Sequence, residues 1–467
     1  MSQATQTLQT TSLTTPQTML LATPQTPPQA TKHLDKQHII RGWVVNDSVD
    51  PLVVERAEGM YFWDDQGKRY LEFSSGLVNL NTGHQHPKVV AAIKEQAERL
   101  CFIHPGFATS ARAEAAAAIA ERTPGDLNHI FFTTSGADAN ENAIKFARFY
   151  TGRQKILAKY RGYHGATHGA LALTGDARRA PAEPVMPGVV HVPDPYCYRC
   201  PFKLEHPSCD VHCASHIEQV IEWEGPHSIA AIFLESMAGS GGGYYETPPG
   251  YLERVREICD TYGILLVCDE VMVGFGRTGK WFTVEHSGVV PDMITMAKGL
   301  TSGYVPLGAV AVSERMWEKL GKETLWAGLT YNGHPLACAA AKATLEVYED
   351  EQLIENSERL GKVLQTRLQA MQEKYEVVGD VRNLGLFGAL ELVQDRGSKQ
   401  PLAKDIASSL KSRLMAKGLS TLVKGHVIFV GPPLIINEEQ LLAGMDIIED
   451  LVRDVNNHIY NHVYTDR

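Results

Sequence analysis

The chain has 467 residues, with 44 Lys and Arg against 54 Asp and Glu, so its formal net charge is −10 at pH 7. Hydrophobic residues make up 44% and charged residues 21%, which is typical of a globular protein with roughly two or three domains. The acidic balance excludes a nucleic-acid partner held through its phosphates, and the lack of a long apolar run excludes a membrane-spanning helix.

The first part of the chain, residues 1–32, is mostly Thr, Gln, Pro, Ala and Ser, with a single charge at Lys32. Such a segment buries too little apolar surface to offset the entropy lost on ordering, so we expect a disordered tail. A short apolar stretch at 19–22 has no basic leader and is flanked by polar residues. We therefore reject an export signal and expect a cytoplasmic protein.

After the tail, apolar runs alternate with helical patterns, of which 136–150 and 251–262 are the clearest. The apolar runs lie at 129–134, 229–234, 264–268, 293–296 and 309–312. Continuous apolar strands separated by helices predict an α/β domain whose mainly parallel sheet is covered on both faces. We assign this large domain to residues 76–345.

The last third of the chain has a different pattern. Long helical patterns at 335–373 and 438–458 flank short strands within 377–393 and 419–430. This arrangement predicts a smaller α+β domain over residues 346–467. We expect the segment 33–75 to join that smaller domain.

Reactive side chains follow several of the predicted strands, and in an open α/β sheet ligands bind beyond the carboxyl ends of the strands. Ser135, Gly136 and Ala137 follow one strand and open a helix. The free N–H groups and the dipole at such a helix start suit a phosphate group. The simpler alternative is that Ser135 only caps a structural helix.

Asp269 and Lys298 each follow another apolar strand. A desolvated Asp269 needs a cationic or hydrogen-bonding partner, and a protonated pyridine nitrogen would serve. A cap on the next turn or an ion pair with Arg277 would serve as well. Lys298 lies before Gly299, and desolvation there is expected to lower its pKa and favour the nucleophilic neutral amine. The alternative is an ordinary solvated loop lysine.

In combination and order, these features resemble the class III, or omega, aminotransferases, which are pyridoxal-phosphate enzymes. The matching motifs are TSGADANENAIK at 134–145, GYHG at 162–165, CDEVMVGFGRTG at 268–279, AKGL at 297–300 and TYNGHP at 330–335. The resemblance covers roughly residues 35–460, and several motifs in one order are far more specific than any one of them. It implies a fold-type I PLP-dependent transferase, with a large mainly parallel-sheet domain and a smaller α+β domain.

The resemblance also implies how these residues would surround pyridoxal 5'-phosphate. Lys298 would bond to the cofactor aldehyde and later move a proton between the substrate carbon and the cofactor. Asp269 would keep the ring nitrogen protonated, so that the ring accepts electrons. Val271 and Tyr163 would pack on the two faces of the ring, and the turn 135–137 would hold the phosphate.

Three further residues receive roles from the resemblance. Thr330 would reach the phosphate of the neighbouring subunit, which makes a homodimer part of the expected site. His164 would help to position the ring, or would be no more than a hydrogen-bonded loop histidine. Glu235 ends another predicted strand and would position the cofactor or a substrate-binding arginine.

Departures from the family pattern bear on the substrate. After Asp-Glu-Val, relatives that use 2-oxoglutarate commonly have Gln, whereas Met272 is more typical of the pyruvate-dependent omega-amino acid and taurine branch. Many of that branch bind the substrate carboxylate through an arginine at the position that Leu422 occupies here. Neither Lys424 nor the pair 178–179 is a clean replacement, since lysine lacks the bidentate fork of arginine and the pair lies on another loop.

Four of the eight cysteines are grouped: Cys197, Cys200, Cys209 and Cys213. Their spacing, with two histidines close by, is compatible with a small structural zinc site. We favour the alternative that the cysteines simply pack near the dimer interface, because catalysis in the resembled family uses no metal. No metal is therefore assigned to the site.

We expect an aminotransferase that moves an amino group from an omega-amino acid, amino-sulfonate or amine to a 2-oxo acid in two half-reactions. Pyruvate is the expected acceptor, and a 4-aminobutyrate type that uses 2-oxoglutarate is an alternative. A decarboxylase or an aminomutase would keep the cofactor but change the outcome, although Met272 disfavours the decarboxylase. A non-catalytic binding protein would not need Lys298.

Overall fold

The computed structural model describes residues 26–239 and 241–460. Its helices are α1 (Pro28–His38), α2 (Ser75–Val78), α3 (Pro87–Arg99), α4 (Ser110–Ala120), α5 (Gly136–Thr151), α6 (His168–Leu173), α7 (His212–Glu224), α8 (Tyr251–Tyr262), α9 (Glu314–Leu320), α10 (Pro335–Asp350), α11 (Leu353–Lys374), α12 (Lys404–Ala416) and α13 (Glu438–Tyr460). Its strands are β1 (Val54–Glu58), β2 (Tyr61–Asp64), β3 (Arg69–Glu72), β4 (His129–Thr133), β5 (Lys155–Lys159), β6 (Val189–Val192), β7 (Ile229–Glu235), β8 (Leu265–Asp269), β9 (Met293–Met296), β10 (Gly308–Val312), β11 (Val378–Leu384), β12 (Phe387–Asp395), β13 (Gln400–Pro401), β14 (Leu419–Ser420), β15 (Val423–Lys424) and β16 (Val427–Val430).

A central sheet organises the middle of the chain, in the order β4-β10-β9-β8-β7-β5-β6. Neighbouring strands are parallel except where β10 pairs with β4 and β9. Every residue of β7 and β8 is buried, as expected for strands that are covered on both faces. The mainly parallel sheet predicted from the sequence is therefore confirmed.

Alternate side chains of β7 show how both faces of the sheet are covered. Ile232 and Leu234 belong to one apolar core cluster, whereas Ala231 and Phe233 belong to another. The helix α8 ends where its sequence predicts, because Gly263 takes the left-handed conformation at its C-terminal cap. The sheet is thus held rigidly between helices, and its carboxyl edge is a fixed platform for side chains.

The N-terminal segment and the end of the chain meet in a second sheet, of order β1-β2-β3-β14. The strand β14 pairs in parallel with β3, with Leu419 opposite Leu71. A third sheet contains β11-β12-β16-β15, with β13 on β12. The pairing of β3 with β14 supports the prediction that residues 33–75 join the C-terminal domain, and the division into domains itself stays a prediction.

Some expected boundaries need correction. The disordered tail was expected to reach residue 32, but α1 begins at Pro28, which suits the first turn of a helix. An ion pair of 2.6 Å between Lys32 and Asp50 ties α1 to the following segment. The rest of the predicted tail, residues 1–25, lies outside the described residues. The helical pattern at 335–373 is two helices, because Gln352 has a φ of 52° between α10 and α11.

The predicted boundary between the large and small domains at residue 345 falls within α10 (Pro335–Asp350). The position of this boundary stays a prediction. Across residues 26–239 and 241–460, we find no helix with both the length and the apolar character needed to cross a membrane.

Candidate active site

A cavity of about 840 Å³ opens at the carboxyl edge of the central sheet. It is lined by side chains at strand ends that are far apart in sequence. These side chains lie close together because the carboxyl ends of parallel strands meet at one edge of the sheet. Most of the site residues predicted from the sequence line it: Ser135, Gly136, Ala137, Tyr163, His164, Glu235, Asp269, Val271 and Lys298. Thr330 is exposed and does not line this cavity, so its expected role toward a neighbouring subunit stays a prediction.

Lys298 lies directly beyond β9 and begins a short 3-10 turn. Its φ of 47° is in the left-handed region, which is costly for a residue with a side chain and is typical of functional sites. Burial lowers the pKa of its amine to about 8, against the attraction of the Asp269 and Glu235 carboxylates. About a tenth of this amine is therefore neutral, and nucleophilic, at pH 7, against less than about one in a thousand for an ordinary lysine.

Asp269 ends β8, the strand next to β9, and is 3% exposed. Its Oδ2 atom accepts a hydrogen bond of 2.8 Å from Nδ2 of Asn140 and lies 2.7 Å from Nδ1 of His164. Its Oδ1 atom accepts the backbone N–H of Val271 at 3.0 Å. The carboxylate is thus fixed in position, and a lone pair of Oδ1 is left for a further donor in the cavity.

The proposed ion pair between Asp269 and Arg277 is wrong. The Arg277 side chain is fully buried elsewhere, where it donates to the carbonyl of Pro432 and to the side chains of Ser75 and Asn81. Burial lowers the pKa of its guanidinium to about 10. Its hydrogen bonds hold the segment that carries Ser75 and Asn81 against the backbone at Pro432.

His164 is the nearest support of Asp269. With Asp269 as the acceptor, Nδ1 of His164 is the protonated ring nitrogen and donates the hydrogen bond to the carboxylate. The backbone carbonyl of His164 accepts 2.6 Å from Nδ2 of Asn140, so both side chains around Asp269 are tied together. His164 therefore contacts a predicted cofactor ligand, which favours positioning over the alternative of an isolated loop histidine.

The start of α5 forms the wall opposite Lys298. Ser135 caps the helix, since its Oγ atom accepts the backbone N–H of Asp138 at 3.2 Å. A Cβ atom at Gly136 would lie 2.6 Å from Cγ1 of Val271, closer than real Cβ atoms approach. Glycine is therefore needed for the first turn of α5 to lie against Val271, with its backbone N–H groups facing the cavity end.

Glu235 ends β7 and stands opposite Asp269 in the register of β7 with β8. Its Oε1 atom accepts the backbone N–H of Gly239 at 3.0 Å, whereas Oε2 is buried with no hydrogen-bond partner in the described residues. Burial raises the pKa of this carboxyl group. No arginine donates to this carboxyl group in the described residues.

Tyr163 forms a side wall of the cavity and contacts two residues, Arg178 and Trp43, that the sequence did not place beside it. Cζ of Arg178 lies 3.7 Å from the centre of its ring, and the ring of Trp43 meets it edge-on at 6.3 Å. Trp43 comes from the N-terminal segment, so no motif could link it to the site. Asn140 was quoted in a motif but not given a role; a polar residue on the buried face of α5 was the available signal.

The substrate side of the cavity is largely apolar. Met272 lines the cavity and packs, with Leu422, against an apolar cluster that contains Val78, Tyr244 and Phe387. Leu422 thus extends the apolar core instead of presenting a charge. The acid-binding arginine of the resembled branch is absent from this position, as the sequence indicates.

Pyridoxal phosphate fits the residues of this cavity on three observations. The start of α5, tightened by Gly136 against Val271, presents backbone N–H groups to an anion. Asp269 has fixed donors on both oxygens and still faces the cavity. Lys298 supplies an amine with a lowered pKa at the adjacent strand end.

The four grouped cysteines meet around a separate small cavity of about 20 Å³. Their thiols are free, and burial raises the pKa of Cys213 to about 12. Within the two described ranges, no group of three or more His, Cys, Asp or Glu side chains is placed to hold a metal ion. The zinc alternative for Cys197, Cys200, Cys209 and Cys213 gains no support from this arrangement.

Comparisons with known proteins agree with the geometry. A family model described as aminotransferase class-III matches residues 44–452. A leucine/methionine racemase of Thermococcus litoralis is 40% identical over 405 residues, 85% of this chain and 90% of the relative. A 5-aminovalerate aminotransferase of Pseudomonas aeruginosa is 39% identical over 411 residues, 86% of this chain and 93% of the relative.

Among solved structures, the taurine:2-oxoglutarate aminotransferase of Bifidobacterium kashiwanohense, in complex with PLP and glutamate, matches with a TM-score of 0.90. It is 38% identical, and the match covers 94% of this chain and all of that one. Fold and sequence therefore agree over nearly the whole described chain.

Proposed function

The chain belongs to the class III aminotransferases, pyridoxal-phosphate-dependent enzymes of fold type I, and on that premise we propose that it moves amino groups from omega-amino acids or amino-sulfonates to pyruvate. One observation carries the proposal. The Lys298 amine and the Asp269 carboxylate lie at the ends of adjacent strands and face one cavity, whose opposite wall is the start of α5.

Each residue of the site has a separate role in amino transfer. When bound, pyridoxal phosphate supplies an aldehyde that bonds to amines and a ring that accepts the electrons released when a substrate C–H bond breaks. Asp269, held by His164 and Asn140, keeps a proton on the ring nitrogen, so that electron acceptance is favoured. The start of α5 anchors the phosphate through its backbone N–H groups.

Lys298 is the proton carrier. Its neutral amine removes a proton from the substrate carbon and holds it at Nζ, then delivers it to the other end of the reacting system. A pKa of about 8 suits both steps, because an amine near its pKa both accepts and donates readily.

The donor and acceptor follow from the lining of the cavity. An apolar wall that contains Met272, with Leu422 in the apolar cluster that Met272 packs against, accommodates a short carbon chain. Pyruvate carries one carboxylate and 2-oxoglutarate carries two, and a wall that lacks the family's arginine favours the acceptor with fewer charges. The taurine enzyme of Bifidobacterium is named for 2-oxoglutarate, which makes that acid the alternative acceptor.

Thr330 supports a homodimer. It is exposed and lies outside the cavity of its own chain, in the loop just before α10. We propose that it completes the phosphate site of a second copy. The cytoplasmic location predicted from the sequence stays a prediction.

Separate half-reactions test the proposed function. The PLP-loaded protein is mixed with taurine, β-alanine, 4-aminobutyrate or a diamine in the absence of a keto acid, and the visible absorption of the cofactor is followed. We expect the absorption to fall, and pyruvate to restore it with one alanine formed per site. Release of CO₂, or racemisation of an α-amino acid without any keto acid, would contradict amino transfer. Recovery with 2-oxoglutarate but not with pyruvate would assign the other acceptor.

A further inference from the structure

We propose that the guanidinium of Arg178, with Lys424 beside it, binds the acid group of the omega-amino acid donor at the rim of the active-site cavity. This inference rests on the proposed function, since it assigns the part of the site that selects an acidic donor. The arginine by which relatives bind the substrate carboxylate is missing here. Leu422 occupies its position and packs into an apolar cluster.

The position of Arg178 is fixed by two contacts. Its Nε and Nη2 atoms donate to the carboxylate of Asp176, with Nε 3.0 and 2.9 Å from the two oxygens and Nη2 2.5 Å from Oδ2. Its Cζ atom lies 3.7 Å from the centre of the Tyr163 ring, which lines the cavity. Guanidinium planes stack well on aromatic faces, so the head group is held at the cavity wall without using all of its donors.

The Nη1 atom of Arg178 donates no hydrogen bond to another side chain or carbonyl in the described residues, and the side chain is 25% exposed. The edge between Nη1 and Nη2 is one of the two that can hold a carboxylate or a sulfonate in a fork. Arg178 therefore has an anion-binding edge available while Asp176 holds the adjacent edge, between Nε and Nη2.

The charge balance at this rim is positive. Lys424, on β15, lies 3.5 Å from the same Asp176 carboxylate, so two cations share one acid. Burial lowers the pKa of Lys424, the Asp176 carboxylate raises it, and the nearby cations Arg178 and Arg161 lower it. Three cations therefore lie close enough to act on one another, and an anionic group brought to this rim is attracted by them.

The floor of the cavity has the opposite character. Asp269 and Glu235 carry carboxyl groups there, next to the amine of Lys298. A donor with an amine at one end and an acid at the other thus meets a complementary arrangement: its amine turns toward Lys298 and its acid toward Arg178. An amine donor that carries no acid group makes no such contact with Arg178 and therefore gains no affinity from the rim.

Two donors that differ only in the acid group test the proposal: 5-aminovalerate and 1-aminopentane, each mixed with PLP-loaded protein. In Arg178→Gln, we expect the half-saturating concentration of 5-aminovalerate to rise at least tenfold, with the rate at saturation within threefold of the parent. The value for 1-aminopentane should change less than twofold. Arg178→Lys should recover part of the loss, since it restores the charge without the fork.

Arg179→Gln is the matched control, because Arg179 pairs with Glu183 and His191 rather than with Tyr163. It should leave both donors unchanged. An equal effect of Arg178→Gln on the two donors, or no effect on either, would overturn the assignment of Arg178. Failure of every donor to change the absorption of the parent protein would overturn the proposed function and, with it, this inference.

A measurement on the parent protein covers the case in which Arg178→Gln does not fold. Pentanoate carries the acid but no amine, and it should compete with 1-aminopentane for the parent protein. Its inhibition constant should rise at least threefold in Lys424→Met. Absence of competition by pentanoate would overturn the proposal without any change at Arg178.

Discussion

Nδ1 of His164 lies 2.7 Å from Oδ2 of Asp269, and both side chains are buried beneath the active-site cavity. His164 and Asn140 fix the position of the Asp269 carboxylate, which we propose holds a proton on the cofactor ring. Several expected outcomes depend on this arrangement and on the residues around it.

Removal of the His164 ring should weaken cofactor binding. In His164→Ala, Asp269 loses a charge-assisted hydrogen bond worth about 2 kcal/mol, so the dissociation constant for pyridoxal phosphate should rise by roughly tenfold or more. Titration of the apoprotein with the cofactor, followed by visible absorption, measures it. His168→Ala, an exposed histidine that contacts the carbonyl of Pro184, is the control and should bind as the parent does. Equal affinities of His164→Ala and the parent would contradict the role.

The rate at which the apoprotein reacts with the cofactor should depend on pH, because it depends on the protonation of the Lys298 amine. The neutral amine reacts and the protonated amine does not, so the rate rises as pH increases and levels off above a pKa of about 8. An unburied lysine would instead keep gaining reactivity beyond pH 10. Stopped-flow absorption at constant ionic strength from pH 6 to 10 measures this profile. A rate that still climbs steeply above pH 9 would show that burial does not lower the pKa of this amine.

A methyl group at Gly136 should loosen the start of α5. Its Cβ would lie 2.6 Å from Cγ1 and 2.9 Å from Cγ2 of Val271, so Gly136→Ala should lower stability by about 1–3 kcal/mol and weaken cofactor binding. Thermal unfolding of the apoprotein gives the first quantity. Adding Val271→Ala should restore part of the stability, because it removes the clashing atoms. Gly397→Ala, where a new Cβ meets nothing closer than 3.6 Å, is the control.

Loss of Arg277 should be severely destabilising. Its guanidinium joins Pro432, Ser75 and Asn81 in the fully buried interior, so Arg277→Met leaves several polar groups without partners, at a cost of about 3 kcal/mol. Urea unfolding of the apoprotein measures it, and Arg453→Met on the exposed face of α13 is the control. Arg277→Lys should recover little, because lysine lacks the fork that spans these acceptors. Full stability of Arg277→Met would refute this role.

The sequence allowed the centre of the site to be predicted because one physical rule connects its members. Parallel strands end at one edge of a sheet, so Asp269 and Lys298, each placed after an apolar run, had to approach each other. The start of α5 was recognisable from Ser135 and Gly136 for the same reason. Placing these residues at the strand ends needed no knowledge of loop conformation, whereas their roles toward the cofactor came from the family resemblance.

The outer parts of the cavity could not be predicted in this way. Trp43 reaches the site from a segment more than a hundred residues before the nearest motif contact, Tyr163, and its place depends on tertiary packing. Arg178 was visible in the sequence, but its stacking on Tyr163 follows from loop geometry that no periodicity encodes. The break between α10 and α11 was missed because Gln352 gives no sequence signal of a left-handed residue.

The most direct test asks which lysine holds the cofactor. The PLP-loaded protein is reduced with borohydride and digested, and peptide mass spectrometry locates the added group. Lys159 is the natural competitor, since it is fully buried and burial lowers its pKa, as it does that of Lys298. The added mass should appear on the peptide that contains Lys298, and Lys298→Ala should abolish it. Added mass on the peptide that contains Lys159, or added mass that persists in Lys298→Ala, would contradict the central claim.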